Sequence, residues 1–155
     1  MKNKSCPACG NENLIRTNEN KIISEAFAGN KSIDVVNYSC NECGMEGDFF
    51  NENETALKET LSEIKSDAVI SILNDFIENN ISLSSLERAL EIPQRTLTKY
   101  KNNKSKPSSI GVALFKLLRL FPWLINVAEN KYDYELSQQI FMMKAFENEF
   151  WNKLL

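Results

Sequence analysis

Four cysteines are the residues of this chain whose type and spacing most directly specify chemistry. They form two copies of one pattern, CPACG (Cys6, Cys9, Gly10) and CNECG (Cys40, Cys43, Gly44). Two thiolates separated by two residues can grip one side of a metal ion from a tight turn. The glycine after the second lets the backbone take a positive φ or approach the sulfur. Two such knuckles complete a closed tetrahedral site of four thiolates, the pattern of structural zinc. Thiolates alone do not choose the metal, and a rubredoxin-like iron site uses the same two knuckles. A dithiol–disulfide role is a third reading, but a thioredoxin-like motif needs one pair in a βαβ setting, whereas here two equivalent pairs occur. Zn2+ is the expected metal, since nothing else in the sequence points to electron transfer.

The second constellation is ionic. The chain of 155 residues has formal net charge −3, unevenly spread. Residues 1–92 carry net −8 and residues 129–155 net −2, whereas residues 93–128 carry seven bases and no acid. Five of those bases, Arg95, Lys99, Lys101, Lys104 and Lys106, fall between Pro93 and Ser109, and Lys116 and Arg119 follow. A basic segment on an otherwise acidic chain suits a polyanion such as nucleic acid. Histidine is absent. That removes Ser-His-Asp and Cys-His nucleophile pairs and the commonest general acid–base residue. An enzyme is therefore not expected. No run of apolar residues is long enough to span a membrane, and MKNKSCPACG has no apolar core of a signal peptide. A cytoplasmic protein with reduced thiols is the expectation.

These residues need elements to position them. Between the knuckles lie 30 residues. NLIRT (13–17), KIISEAFAG (21–29) and SIDVVNYSC (32–40) are rich in β-branched and aromatic residues, with NEN and GNK as turns, which predicts a small antiparallel sheet clamped by the metal. A module of this size cannot rely on its core alone, so the metal supplies much of its folding energy. After Gly47 the apolar residues Leu57, Leu61, Ile64, Ala68, Ile72 and Phe76 recur at helical spacing, with Leu73 and Ile77 widening the stripe. Ser66 reads as a cap dividing two helices, near 52–65 and 67–79.

Ser82 or Ser84 then caps a short helix that turns Leu86, Ala89 and Leu90 inward. Glu91 sits at the turn, Ile92 plugs the core, and Pro93 opens the next helix at a first-turn position. That helix turns Leu97 and Tyr100 inward and leaves Gln94, Arg95, Thr98 and Lys99 outward. Past Ser108 or Ser109, Ile110, Leu114, Leu117, Leu118 and Phe121 should close the bundle. Lys116 and Arg119 should extend the positive face, with Pro122 ending the helix. Residues 132–155 read as one more amphipathic helix, with Leu136, Ile140, Met143, Phe146, Phe150 and Leu154 on its face and Trp151 beside it. That helix either packs on its own chain or forms a dimer or partner interface.

The expected class is α+β. A zinc-binding β module (1–50) precedes a linker helix (51–66), a helix-turn-helix domain (67–128) and a C-terminal amphipathic helix (129–155). The stretch from Ser84 to Ser109 resembles the helix-turn-helix of phage-type repressors. The order of paired CxxC, spacer helix, helix-turn-helix and KLLRLFPWL resembles the MqsA-like (YgiT-type) antitoxins of bacterial toxin–antitoxin pairs, over about residues 5–127. This resemblance implies a homodimeric repressor that binds double-stranded DNA at a palindromic operator and a separate ribonuclease toxin chain through the zinc module. The acidic 1–92 segment suits a basic toxin.

Carried over, Gln94, Arg95 and Lys99 read bases, joined in the interface by Thr98 and Lys101. Asn102, Asn103, Lys104 and Lys106 hold phosphates. Two features depart from the pattern: Glu91 stands where the repressor turn prefers glycine, and the chain continues past the family's end. A stand-alone phage or mobile-element regulator shares every one of these parts. A rubredoxin-like electron carrier fused to a helical bundle is the reading of a different class.

Overall fold

The computed structural model describes residues 4–129, 131, 133–135, 137–139 and 142–143. It is α+β, with a three-stranded antiparallel sheet in the order β1-β2-β3 followed by helices. Strands β1 (Leu14–Glu25) and β2 (Gly29–Cys40) pair along their whole length, from Leu14 opposite Cys40 to Glu25 opposite Gly29. At about 3.4 Å per residue the hairpin is roughly 40 Å long. The short β3 (Glu46–Gly47) adds to β2 opposite Tyr38 and Ser39.

The strand boundaries differ from the sequence expectation. The NEN triplet, Asn18 to Asn20, is not a turn but the middle of β1, and GNK opens β2. Cross-strand polar pairs hold NEN extended: Asn20 donates to Asp34 at 2.8 Å, and Glu19 accepts from Asn37 at 3.2 Å. Such pairs stabilise a strand whose faces are wet. The reversal falls instead at Ala26–Ala28, where Phe27 takes a φ of 70°.

Helix α1 runs unbroken from Glu54 to Glu78. The break expected at Ser66 does not occur. Ser66 is buried, and its hydroxyl donates to the Ser62 carbonyl at 3.0 Å, so it is satisfied inside the helix instead of capping a new one. At the start of α1, Asn53 occupies the cap position but makes no capping bond. Its amide is spent on β2, accepting from the Val36 N–H and donating to the Val36 carbonyl, both at 2.7 Å. Asp48 takes over nearby, accepting from the backbone N–H groups of Glu52 and Asn53 at 2.9 Å each.

The remaining helices are α2 (Leu83–Ala89), α3 (Thr96–Lys101), α4 (Ser109–Leu120) and α5 (Leu124–Ala128). Ser82 caps α2 by accepting from the Ser85 N–H at 3.1 Å, and Ser108 caps α4 by accepting from the Gly111 N–H at 3.1 Å. One core joins Val69, Ile72, Leu73 and Phe76 of α1 to Leu86, Ala89, Leu97, Val112, Phe115, Leu118 and Ile125. Leu90, Ile92 and Tyr100 pack against it, as their spacing indicated. Helix α4 keeps Leu118 of the expected face but otherwise turns another side inward: Val112, Phe115 and Leu118 are buried, while Ile110, Leu114 and Leu117 are exposed. Leu61 and Ile77 at the margins of α1 are exposed as well. Pro122 ends α4 as anticipated, but a further short helix, α5, follows it and contributes Ile125 to the core.

The hairpin is docked on the helices. Lys31 pairs with Glu63 and Asp67 of α1 at 3.3 and 2.8 Å. At the tip, Phe27 packs against the helical core and Glu25 pairs with Lys116 of α4. Most of the C-terminal apolar face read from the sequence (Leu136, Ile140, Phe146, Phe150, Trp151, Leu154) lies outside the described residues; Met143 is exposed. No helix among the described residues is long and apolar enough to cross a membrane.

Candidate functional site

The base of the hairpin carries the four cysteines, and its two knuckles have the same construction. Gly10 donates its N–H to the Cys6 carbonyl at 2.9 Å, and Gly44 donates to the Cys40 carbonyl at 3.0 Å. Each knuckle is then closed by the first cysteine: Cys6 donates to the Asn11 carbonyl at 2.8 Å and Cys40 to the Met45 carbonyl at 2.9 Å. Gly10 and Gly44 have φ of 76° and 70°, where a side chain would be strained.

All four sulfurs lie within 4.8 Å of one another, with Cys6 to Cys43 and Cys9 to Cys40 both 3.6 Å apart. A tetrahedron of thiolates around zinc at 2.3 Å has edges of about 3.8 Å, so the cluster has the size of such a site. None of the four is in a disulfide. Cys6 and Cys40 are buried and Cys9 and Cys43 exposed, so the site closes on the sheet and opens to solvent on one side.

The electrostatics favour a cation here. The backbone N–H groups of Cys43 and Glu42 point at the Cys40 sulfur and bring its thiol down to about 7. At Cys9 the Asn11 backbone also favours the thiolate. Desolvation and the three neighbouring thiols outweigh it and hold Cys9 up at about 12. One thiolate is readily formed and a cluster of them repels itself, which is the condition a divalent metal relieves. The residues present therefore fit a bound metal ion, with Cys6, Cys9, Cys40 and Cys43 as its four ligands. Behind them, Tyr38 stacks among Phe49 and Phe50, and Lys4 lies 4.8 Å from the Phe50 ring centroid. Glu52 accepts from Lys4 and Tyr38, and these two hydrogen bonds hold its carboxyl below the ordinary carboxylate range.

The second candidate site is the α2–turn–α3 unit. Three helix ends here close in the same way. Asn80, Glu91 and Asn103 have φ of 62°, 52° and 53°. Each is followed by an N–H that reaches back to a carbonyl five residues earlier: Ile81 to Phe76, Ile92 to Glu87 and Lys104 to Lys99, all at 2.8 Å. Asparagine tolerates this conformation, whereas Glu91 bears the strain that a glycine would avoid.

Helix α3 does not start at Pro93 as the sequence suggested. Gln94 and Arg95 form a turn closed by the Thr96 N–H donating to the Pro93 carbonyl at 3.2 Å, Arg95 has φ 65°, and the helix begins at Thr96. The cause is a residue whose position the sequence reading left unassigned. Glu87 is buried, and its carboxylate accepts from the Arg95 N–H at 3.0 Å and the Leu97 N–H at 2.8 Å. It caps α3 from the neighbouring helix, satisfies two donors at the start of α3, and holds Arg95 in a left-handed conformation. Its signature in the sequence is an acid at an inward position of α2, one residue after Leu86, where the helical pattern calls for an apolar side chain.

Gln94, Arg95, Thr98 and Lys99 are exposed, as are Asn102, Asn103, Lys104 and Lys106, while Lys101 is half-buried. Gln94, Arg95 and Thr98 line an open groove with Ser84 and Arg88 of α2. The structure thus brings the named residues onto α3, the turn before it and the loop after it. Lys116 and Arg119 leave the set. They do not extend a positive face, because Lys116 is paired with Glu25 and Arg119 donates to Asp75 at 2.6 Å. The five bases from Arg95 to Lys106 have no ion-pair partner among the described residues.

No protein-family model matches this chain, and neither a curated protein nor a solved structure matches it.

Two outcomes follow from this geometry. Titrating the metal-free protein with Zn2+ should give one ion per chain with release of protons, and Cys40→Ser should abolish tight binding; unchanged binding in that variant would exclude the four-thiolate site. Glu87→Ala should destabilise the fold by about 2 kcal/mol in denaturant unfolding, because two buried N–H groups lose their acceptor, while Glu87→Gln, which keeps one carbonyl oxygen, should cost less. Equal and negligible effects would remove Glu87 as the cap of α3.

Proposed function

We propose that this chain is a sequence-specific DNA-binding repressor in which a zinc-held sheet accompanies a helix-turn-helix formed by α2 and α3. It acts as a homodimer on a palindromic operator and serves as the antitoxin of a toxin–antitoxin pair. The observation that carries the reading is the sorting of charge in the basic stretch. Lys116 and Arg119 are neutralised within the chain, while Arg95, Lys99, Lys101, Lys104 and Lys106 gather on α3 and its flanks with no ion-pair partner among the described residues. Unpaired bases on one short helix and its exit loop suit the phosphate backbone on either side of a major groove.

In this reading α3 enters the major groove. Arg95 and Gln94, at its entrance, reach guanine and adenine edges, and Thr98 and Lys99 lie one turn on. Lys101, Asn102, Asn103, Lys104 and Lys106 hold the backbone and set the register. The strained Arg95 backbone, fixed by Glu87, aims that side chain before DNA arrives, which lowers the ordering cost of binding. The zinc, when bound, supplies structural cross-linking of the sheet. The acidic surface of residues 1–92 supports the toxin-binding part of the proposal, since it suits a basic RNA-cleaving partner.

The DNA contacts are tested by two variants. Lys104→Ala should weaken binding to all duplexes alike and lower the salt slope by roughly one unit. Arg95→Ala should cost on the order of 1–3 kcal/mol on the preferred sequence and little on random DNA. Equal losses on both duplexes would remove Arg95 from the base readers. The antitoxin role is tested by co-expression with the product of the adjacent gene: a stoichiometric complex that relieves growth arrest supports it, and an adjacent product that is neither toxic nor bound leaves a stand-alone regulator.

A further inference from the structure

Helix α1 sorts its charges by face. Glu63 and Asp67 meet Lys31 of the hairpin. Lys58 and Lys65 lie on another side, one above the other at a spacing of seven, with Leu61 and Ser62 between them. That side borders an open groove of about 270 Å³ at the start of α4. Lys58, Leu61, Ser62 and Lys65 form one wall, and Pro107 and Ser109 belong to the other.

No carboxylate lines this groove. Lys65 is half-buried and has no ion-pair partner among the described residues. Lys58 pairs with Glu54 one turn before it, but the two side chains are 73% and 59% exposed, and a pair so wet holds its lysine loosely. The hairpin thus takes up two acids of α1, and the groove is left positive.

The place of the groove in the fold decides its ligand. Lys106 immediately precedes Pro107 in the wall, and the loop 102–108 leads back through Lys104 to α3. Bases without an ion-pair partner among the described residues therefore run from Arg95, through Lys104 and Lys106, to Lys65 on α1. The seven residues from Lys58 to Lys65 rise about 10 Å. Phosphates of one strand follow each other roughly every 3.4 Å along a duplex axis, so the two lysines span about three of them. A row of positive charge of this length suits an extended polyanion better than one small anion.

We propose that the groove between α1 and the start of α4 holds the phosphate backbone of DNA flanking the sequence that α3 reads, with Lys65 as its main contact and Lys58 as a second. The proposal rests on the DNA-binding reading and extends its contact surface from α3 to the spacer helix. These lysines read no bases. They add affinity for any sequence and hold α1 against the duplex.

Titration of the full, metal-loaded chain with a random-sequence duplex several helical turns long, over a series of salt concentrations, tests the contact. Lys65→Gln should lower the salt slope by roughly 0.9, and Lys58→Gln by less, since Glu54 already offsets that charge. Lys65→Arg, which keeps the charge, should bind as the wild type does. Lys21→Gln, at an exposed lysine of β1, controls for net charge and should leave the slope unchanged. Should Lys65→Gln melt early, Lys58→Gln carries the test. An unchanged slope in the groove variants, while Lys104→Ala lowers it, overturns the groove contact and leaves the DNA-binding reading standing. A drop in Lys21→Gln equal to that in Lys65→Gln also overturns the contact, as an effect of net charge alone. A wild-type chain that binds no duplex overturns the DNA-binding reading and the groove contact with it.

Discussion

The structure depends on one helix bearing two loads. Helix α1 is the wall against which the hairpin lies and also the spine of the helical core. Asn53 fastens its first turn to β2, Lys31 ties the strand to Glu63 and Asp67, and Val69 to Phe76 carry the core beyond. A flexible joint in α1 would separate the four-cysteine cluster from α2–α4. Ser66, which could have supplied one, is folded into the helix by its bond to Ser62. The hairpin adds a second connection. Its base holds the thiol cluster, and its tip places Phe27 on the helical core and Glu25 on α4. The cysteine-bearing sheet and the helices are thereby braced at both ends of a lever roughly 40 Å long. A metal ion held by the four cysteines would stiffen one end of that brace.

Within the helical part, the ordering of α3 rests on borrowed interactions. A helix of six residues is too short to be stable by propensity, and its start is held by Glu87 from α2. The same carboxylate holds Arg95 in a conformation that costs energy for a residue with a side chain. Glu91 adds further strain at the turn. Strain of this kind persists only where the surroundings over-determine it, and it is concentrated here beside the unpaired bases.

Much of this was legible in the sequence. Paired CxxC with glycine after each knuckle dictated the cluster, because spacing alone brings two thiolates to one ion. Leu86, Ala89, Leu97 and Tyr100 were readable as inward because helical period leaves few alternatives. Most of the failures share a cause: they are positions where a polar residue is satisfied by a partner that the local pattern does not reveal. NEN was read as a turn because its cross-strand partners, Asp34 and Asn37, are distant in sequence. Ser66 was read as a cap because its hydroxyl's partner lies inside the helix. Lys116 and Arg119 were read as a free basic face because Glu25 and Asp75 are far along the chain. The face of α4 was misjudged for another reason. The helical period of SIGVALFKLLRL favours the side of Ile110, Leu114 and Leu117, whereas the core takes Val112, Phe115 and Leu118 from the side that also carries Lys116 and Arg119, whose charges are met by Glu25 and Asp75.

The central claim is that α3 and its flanking loop read a defined DNA sequence as a two-fold pair. Selection of the full-length, metal-loaded protein on a pool of duplexes with a randomised centre tests it most directly. The account predicts enrichment of an inverted repeat, with its half-sites one helical turn, about 34–36 Å, apart between centres. Recovery of a pool with no enriched motif, bound only through salt-sensitive contacts, would contradict it.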